Sequence, residues 1–508
     1  MWSTLTSTAQ TAARRTRASF TDPANAGLLV LVALAIYVMA WTGYGTITKA
    51  AQGLNPDMTE LIAWSRDLDF GYSKHPPLAA WLVRAWFEFM PVADWSYYLL
   101  AMLMPALALW IVWRLTAEYL PLHKRVAALA LLTLIPFFNF HALKFNVNTV
   151  LMPLWAAATY FFLRAYVTRS PRASLLAGIA AAACMLGKYW SIFLLAGLVV
   201  AALADKRRAA YFRSPAPWIT VVIGAICLSP HIVWLVQHDF ITFKYASAAH
   251  EARPFVATAI AALGYLAGSL GYVALPAIIV LVAARANVAT LRDIAWPRDP
   301  DRRLVALAFW APLLLPMAGA LIAHTEITSL WSMSAWTLLP VLLLSPPGVA
   351  WRPVDTGRVV GFAVLLPVAM LIAAPFVASK TRPKGPPPAA AQAPLLAREV
   401  ERLWHTVVPF PLRFIGGDGD IVLPVATYAS ERPRILIPGL VTLPDPVTLR
   451  HAGMVQLCFA EHAACAARAK AEIGDAPSQT SQTTIVQTPG HPGAAPRRYT
   501  IMVVPPRP

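Results

Sequence analysis

Charged side chains are scarce in this sequence, and so are cysteines. Asp, Glu, Lys and Arg together make up 13% of the 508 residues, whereas a soluble protein contains about 25% of them. This deficit argues against a soluble protein and indicates membrane spans. Four cysteines in a chain of this length exclude a disulfide scaffold.

Acidic residues are the scarcer charged type. The chain has 25 Asp and Glu against 42 Lys and Arg, which gives a net charge of +17. Nucleic-acid-binding proteins show such an excess, but their basic residues cluster in one module. Here the basic residues lie in short loops between apolar runs, as the positive-inside rule for membrane proteins predicts. We therefore expect membrane lipids, and no nucleic acid, among the partners.

Apolar runs long enough to cross a membrane are abundant, since one span needs about 20 residues. The first run, 27–46, follows three arginines within 14–17. A cleaved signal peptide is the alternative, but the run is long and no clear small-residue cleavage site follows it. We expect a signal anchor, with residues 1–26 in the cytoplasm. Ten further runs lie near 96–117, 126–142, 149–167, 174–188, 190–204, 216–237, 256–283, 304–323, 328–346 and 358–378.

Basic residues between the runs predict the orientation of the chain. The runs 174–188 and 190–204 could form one long helix, but basic residues at 169–172 and 206–208 flank them. Two cytoplasmic loops must be separated by an even number of spans, so we expect two short helices. Eleven spans then place the C-terminus outside, although basic residues at 380–384 oppose this orientation. We expect a multi-pass protein of the bacterial inner membrane with its C-terminal domain in the periplasm.

The C-terminal region has a different composition. Residues 379–397 are rich in Pro and Ala, which is typical of a linker. Residues 398–508 have the composition of a small soluble α/β domain, so the membrane domain is expected to span 27–378. The patterns predict helices at 398–405 and 446–473, strands at 421–428, 435–441 and 499–504, and a loose loop at 474–497.

Two cysteines, Cys458 and Cys465, lie seven residues apart in this domain. A disulfide between them is expected if the domain is periplasmic, because that compartment is oxidising. Two unlinked thiols are the alternative, since spacing alone does not establish the geometry that a bridge needs.

The first loop expected outside, 47–95, is long and rich in ionisable and aromatic residues. Its segment 78–90 is apolar, with Arg84 and Glu88 four residues apart, which suits a helix in the membrane interface. A single Lys or His near a membrane is commonly a snorkelling anchor. A concentration of such groups on one side is more often functional, because charges near hydrocarbon are unfavourable.

The residues of this loop resemble a known family. Asp57, followed by Gly71-Tyr72 and then by His75-Pro76-Pro77-Leu78, resembles the first outer loop of the GT-C glycosyltransferases. The nearest branch resembles the protein mannosyltransferases and the lipid A aminoarabinose transferases. The resemblance covers nearly the whole chain. Further matching segments follow in the same order, at 144–155, 186–189, 229–234 and 237–240, and in the tail with Gly453, Cys458 and Cys465.

The resemblance implies transfer of a sugar from a polyprenyl phosphate to a lipid or protein hydroxyl. Such a reaction needs a carboxylate base for the acceptor hydroxyl and cationic groups for the departing phosphate. By the match, Asp57 is the base. Met58 stands where the family has Glu, so Glu60 is a candidate for part of that role.

The remaining candidates divide by expected role. Many relatives have an acid in the second outer loop, where this chain has Asn146-Val-Asn148. This departure leaves a metal held by two carboxylates in doubt, so no cofactor is assigned and a divalent metal stays open. Lys74, His75, Lys144 and Lys188 are expected to contact the donor phosphate, and Tyr72, Asn148, Tyr189, His250, His324 and Glu326 to bind donor or acceptor.

Two other functions fit a membrane protein of this kind. A transporter or flippase of lipid-linked sugar often shows internal repeats, and no convincing repeat is present here. A non-catalytic scaffold would explain the spans but not the group around Asp57 and Lys74. The transferase is favoured, with an envelope lipid of lipopolysaccharide type as acceptor ahead of protein, and the sugar is left open.

Overall fold

The computed structural model of the chain describes residues 23–249, 252–381, 389–474, 476–491 and 493–507. It consists of a helical membrane bundle followed by a small mixed domain. The helices are α1 Pro23–Lys49, α2 Pro56–Ser65, α3 Leu78–Phe89, α4 Asp94–Thr116, α5 Leu122–Thr133, α6 Val147–Thr168, α7 Pro171–Gly187, α8 Ile192–Ala204, α9 Arg208–Phe212, α10 Ala216–Gln237, α11 Ile241–Ala249, α12 Phe255–Ala283, α13 Val288–Ala295, α14 Pro300–Ala323, α15 Leu339–Leu344, α16 Pro353–Thr381, α17 Ala393–His405, α18 Gly419–Tyr428, α19 Pro446–Ala452 and α20 Ala463–Ile473.

Within the described residues, seven helices are long and apolar enough to cross a membrane: α1, α4, α6, α10, α12, α14 and α16. Three shorter apolar helices, Pro171–Gly187, Tyr189–Ala204 and Ala335–Leu344, coincide with predicted runs. The polytopic helical class is confirmed, and the chain is a multi-pass membrane protein. The number of eleven spans stays a prediction, because four of the runs form segments shorter than a full span.

The membrane helices differ in how deeply they lie in the bundle. In α4 and α6, 67% and 72% of the apolar window is buried, whereas in α10 and α16 only 17% is buried. Apolar helices that expose most of their surface are stable only against lipid. The inner helices α4 and α6 therefore form the support on which the outer loops rest.

The first long loop folds into two helices. In α2, the Asn55 side chain caps the helix by accepting a hydrogen bond from the backbone N–H of Asp57. The segment predicted to form an interfacial helix is α3, and its Arg84 and Glu88 form the expected i,i+4 ion pair at 2.6 Å.

The C-terminal domain contains a five-stranded mixed sheet, which confirms the α/β class. The sheet order is β2-β1-β3-β5-β4; β1 is parallel to β2 and β3, and β5 is antiparallel to β3 and β4. Helix α17 starts at Ala393, inside the segment that the sequence predicts to be a linker. The strands are β1 Phe414–Gly417, β2 Arg434–Leu436, β3 Met454–Phe459, β4 Gln479–Ile485 and β5 Arg497–Val504.

Three secondary-structure predictions for this domain are wrong. The strand predicted at 421–428 is helix α18, which packs against α2, α17 and the sheet. The helix predicted at 446–473 is two helices separated by β3, and Gly453, at φ +67°, ends the first. The loop predicted at 474–497 contains β4, a polar edge strand paired with β5. The strand predicted at 435–441 ends at Leu436, whereas the last strand is confirmed as β5.

Cys458 and Cys465 are joined in a disulfide, where the sequence predicts one. The two Cα atoms lie 5.9 Å apart, since the bridge links the buried strand β3 to helix α20 behind it. This bridge holds α20 against the sheet.

The C-terminal domain is bonded to the outer loop and to the bundle. Trp64 Nε1 donates to the carbonyl of Leu440 at 3.0 Å. Tyr428 Oη donates to Asp94 Oδ1, at the start of α4, at 2.6 Å. These bonds hold α2 and the start of α4 in place, and α2 carries the principal candidate residue.

Candidate active site

The Asp57 carboxylate lies in the first turn of α2 and is held by two groups from the second outer loop. Lys144 Nζ is 2.7 Å from Asp57 Oδ2, and Asn146 Nδ2 donates to the same oxygen at 3.1 Å. Oδ1 has no hydrogen-bond partner among the described residues. One carboxylate oxygen is therefore held in position, and the other is open to accept a proton.

The charge state of Asp57 follows from these contacts. Burial would raise the pKa of this carboxyl, but the hydrogen bond and the charge of Lys144 outweigh burial, and Asn146 adds a further hydrogen bond. The pKa of Asp57 is therefore held below its ordinary value. The carboxylate is ionised at neutral pH, as a group that accepts a proton must be.

Asn146 has a defined orientation because it also caps α6. Its Oδ1 accepts from the backbone N–H groups of Asn148 and Thr149, at 3.0 and 3.2 Å. The amide must then point its Nδ2 donor at Asp57. From the sequence, Asn146 was noted only because relatives have an acidic residue in this loop. In the structure, Asn146 donates a hydrogen bond to the Asp57 carboxylate and does not compete with it for protons.

Lys188 differs from the other two lysines of the group. Lys144 pairs with Asp57 and Lys74 pairs with Glu60, but Lys188 has no carboxylate within ion-pair distance among the described residues. Its Nζ donates to Asn148 at 2.9 Å and lies 4.8 Å above the ring of Trp331. Three lysines against two carboxylates leave 3 − 2 = +1, and that charge resides on Lys188.

Glu60 lies one turn after Asp57 on α2 and holds Lys74. Its Oε1 is 2.5 Å from Lys74 Nζ, which also lies 5.5 Å above the ring of Tyr245. Burial raises the pKa of Glu60, and the charge of Asp57 adds to that effect. Its contacts fit a counter-ion for Lys74 better than a second base.

His75 is present as a neutral imidazole. Burial, together with the nearby charge of Lys188, lowers the pKa of His75 to about 3. Its ring lies edge-on to Trp64, with the centroids 6.0 Å apart. His75 therefore offers a single N–H at neutral pH, and its contact with the donor phosphate stays a prediction.

The two tyrosines predicted to bind substrate are engaged within the protein. Tyr72 stacks on Trp64 at 5.3 Å and donates its hydroxyl to the carbonyl of Asp67 at 2.7 Å. Tyr189 stacks on Phe243 at 4.8 Å. Both rings line the loop structure around the site, and their hydroxyls have partners already.

His231 is a residue that sequence reasoning quoted in a motif but did not assign to the site. Its Nδ1 is 2.5 Å from the carbonyl of Phe70, which only accepts, so Nδ1 carries the proton. Its Nε2 then accepts from the hydroxyl of Tyr189 at 2.8 Å. A histidine within an apolar helix is the signal that could have identified it.

Gly71 of the first-loop motif is required by a close approach. A Cβ added there would lie 2.8 Å from Cδ2 of Trp234 and closer still to two other ring atoms. The indole stacks on His231 and His238, with centroids 6.0 and 4.2 Å apart. The glycine thus allows the loop that carries Lys74 and His75 to pack directly on α10.

The predicted residues near α14 form a separate group. Arg253 pairs with Glu326 at 2.5 Å, and its backbone N–H donates to the carbonyl of His324 at 2.8 Å. Among the described residues, no hydrogen bond or ion pair joins this group to Asp57. His250 lies outside the described residues.

The donor set around Asp57 does not fit a divalent metal. Each carboxylate of the group holds a lysine, so a cation is already supplied to both. Among the described residues, one cluster has three potential ligands within reach of a single ion: Asp418, Cys458 and Cys465. Those two cysteines are joined in a disulfide.

A cleft of about 670 Å³ opens beside Asp57, between the outer loops and the C-terminal domain. Lys49, His141 and Lys144 line it from the bundle, and Asp420 and Arg497 line it from the domain. The cleft gives a molecule of considerable size access to Lys144, whose Nζ contacts Asp57.

Comparison with known proteins supports the fold. Residues 74–234 match the family described as dolichyl-phosphate-mannose-protein mannosyltransferase. The structure of ArnT from Cupriavidus metallidurans bound to undecaprenyl phosphate superimposes with a TM-score of 0.60, covering 95% of this chain and 98% of that one at 12% identity. At this identity the likeness establishes the fold alone.

Two characterised relatives have similar sequences. The lipopolysaccharide core galacturonosyltransferase RgtB of Rhizobium johnstonii is 25% identical over 327 residues, which cover 62% of this chain and 63% of the relative. The lipid A galacturonosyltransferase RgtD of the same organism is 22% identical over 223 residues, which cover 44% of this chain and 46% of the relative. The chain thus spans less than two thirds of the length of either relative.

Proposed function

We propose, on the premise of the GT-C fold, that the chain transfers a sugar from a polyprenyl phosphate to an envelope lipid. The reaction would take place at the periplasmic face of the bacterial inner membrane. The observation that carries the proposal is that the same group of residues contains an open carboxylate oxygen, Asp57 Oδ1, and a lysine without a carboxylate partner, Lys188. A scaffold has no use for either group.

The chemistry assigns one step to each of these residues. Asp57 Oδ1 takes the proton of the acceptor hydroxyl as its oxygen bonds to the anomeric carbon of the sugar. The bond from that carbon to the phosphate oxygen breaks, and the phosphate leaves with the electron pair. Lys188, supported by the N–H of His75, stabilises the negative charge on the departing phosphate.

The acceptor is proposed to be a lipid of the lipid A or lipopolysaccharide core type. Both characterised relatives have such an acceptor in their names. The cleft beside Asp57 supports this assignment, because it is large and has Lys49 and Lys144 in its wall. Cationic side chains suit the phosphate groups that such lipids carry.

The sugar is proposed to be galacturonic acid. RgtB and RgtD both carry this specificity in their names, and their similarity to this chain extends over 327 and 223 residues respectively. A uronic acid differs from a neutral hexose in bearing a carboxylate, so donor selection is directly measurable.

The experiment compares two donors with the same membranes. The full chain in vesicles receives lipid A with polyprenyl-phosphate galacturonic acid or with the corresponding neutral hexose donor. We expect mass spectrometry to show lipid A heavier by one uronic acid residue in the first case only. Transfer of neither sugar would overturn the proposal, and movement of the donor across the bilayer without any heavier acceptor would indicate a flippase.

The orientation of the chain is part of the proposal. The distribution of basic loops supports a cytoplasmic N-terminus and a periplasmic C-terminal domain. A periplasm-dependent reporter fused to the C-terminus is expected to be active. An inactive reporter, together with an active cytoplasmic one, would contradict this orientation.

A further inference from the structure

A second cleft lies at the end of the bundle opposite the C-terminal domain. Helix α4 begins at Asp94, which is bonded to Tyr428 of that domain. Arg114 lies twenty residues further along α4, which at 1.5 Å per residue is about 30 Å away. This distance is about the thickness of a bilayer core, so the second cleft lies at the other membrane surface.

The cleft has a volume of about 630 Å³ and is formed by α4, α6 and the start of α7. Its wall is divided into an apolar part and a cationic part. The apolar part includes Trp110, Phe161 and Leu176, and the cationic part consists of Arg114, Arg164 and Arg172.

The cationic part is not neutralised by the protein. Arg164 donates to the hydroxyl of Tyr160 at 2.8 Å and lies 3.6 Å from Glu118. Arg114 and Arg172 have no hydrogen bond or ion pair from their side chains among the described residues. Three guanidinium groups against one carboxylate leave 3 − 1 = +2 around the cleft.

An apolar wall beside uncompensated arginines fits one class of molecule. A soluble anion would use the arginines but would leave the aromatic and aliphatic wall without a partner. A lone arginine at a helix end commonly snorkels to the interface, but three line the same cleft here. Basic clefts between membrane helices bind anionic lipid headgroups.

We propose that this cleft binds an anionic glycerophospholipid of the leaflet opposite the Asp57 site. The phosphate contacts Arg114 and Arg172, while Arg164 is positioned by Tyr160 and Glu118. The acyl chains lie on Trp110 and Phe161. This site is independent of the sugar-transfer site, and it binds its lipid without a covalent bond.

The test measures lipid binding to the full-length protein. Wild-type protein, Arg114→Gln/Arg172→Gln and the control Arg213→Gln/Arg285→Gln are titrated with phosphatidylglycerol or phosphatidylcholine and examined by native mass spectrometry. Both variants lose the same charge, but Arg213 and Arg285 lie outside the cleft. We expect the pocket variant to bind phosphatidylglycerol about 30-fold more weakly, about fivefold for each arginine, and the control to match wild type.

Four results would overturn the proposal, three from direct titration and one from competition. The titration results are equal binding of phosphatidylglycerol by the pocket variant and the wild type, equal binding of the two lipids by the wild type, and an equal loss in the control variant. A polyprenyl phosphate is titrated as a competitor. Displacement of phosphatidylglycerol by equimolar polyprenyl phosphate would assign the cleft to the polyprenyl lipid instead. Sugar transfer is measured on the same variants. We expect the pocket variant to retain transfer, because the cleft is independent of the sugar-transfer site.

Discussion

Gly71→Ala tests how the first-loop motif is held against the bundle. An added Cβ would lie 2.8 Å from Cδ2 of Trp234, whereas carbon atoms in ordinary contact are about 3.5 Å apart. The shortfall is about 0.7 Å at that atom, and it is larger at two other ring atoms. Either the loop or the indole must move by more than that amount, and the indole stacks on both His231 and His238.

The displacement has two measurable consequences. Overpacking of a filled site lowers the free energy of unfolding by about 1–3 kcal/mol. A shift approaching 1 Å in residues that position a substrate reduces a rate by up to about 10²-fold. We therefore expect Gly71→Ala to melt earlier in detergent and to transfer sugar about tenfold to 100-fold more slowly.

The control and a second background make this prediction specific. Gly361→Ala changes a glycine of α16 whose added Cβ would contact nothing within 4 Å, and we expect no loss of transfer. In a Trp234→Leu background, Gly71→Ala is expected to have little further effect, because the obstructing ring is gone. Full transfer and an unchanged melting temperature in Gly71→Ala would refute the packing argument.

Three further variants test the charges and the domain contact. Lys144→Gln is expected to move the acid limb of the pH–rate profile to higher pH, because the pKa of Asp57 rises when the cation that lowers it is removed. The control Lys49→Gln, which removes a cation bonded to Gln52, should leave the acid limb unchanged. Lys188→Gln is expected to reduce kcat/KM for the donor by about 10²–10³-fold, and Lys188→Arg is expected to recover part of the activity. If the donor KM and kcat of Lys188→Gln are unchanged, Lys188 is not part of the phosphate site. Tyr428→Phe leaves Asp94 without its hydrogen-bond donor and should reduce the stability of the domain contact by about 1–3 kcal/mol. The assay measures how early a protease releases the C-terminal domain. Equal protease resistance of the variant and the wild type would contradict this prediction.

The membrane part of the fold was predictable because its signals are strong and local. Each apolar run coincides with helical segments, since a lipid-facing helix such as α10 is apolar along its whole length. The helix at 78–90 was equally clear, because Arg84 and Glu88 stand at helical spacing. The secondary structure of the small domain was harder to predict, because helices and strands that are buried on all sides lack an alternation of apolar and polar residues. Helix α18 is buried from Val425 to Thr427, and β3 is buried at all six positions.

The candidate site was predictable as a set of residue types but not as a set of contacts. The first-loop motif identified Asp57 and Lys74, yet it gave no sign of which lysine pairs with which carboxylate. Those pairings depend on α6 bringing Asn146 to α2, a contact between positions 89 residues apart. His231 was missed for the same reason, because its partners Phe70 and Tyr189 lie far from it in sequence.

The most direct test of the central claim, that Asp57 is the base of a sugar transfer, compares Asp57→Asn with Asp69→Asn in membranes. Asp69 lies in the same loop, and its carboxylate accepts a hydrogen bond from the next backbone N–H, so its variant matches the loss of charge. We expect Asp57→Asn to slow transfer by about 10²–10⁴-fold at unchanged expression and membrane insertion, and Asp69→Asn to retain transfer. Near wild-type transfer by Asp57→Asn would contradict the account.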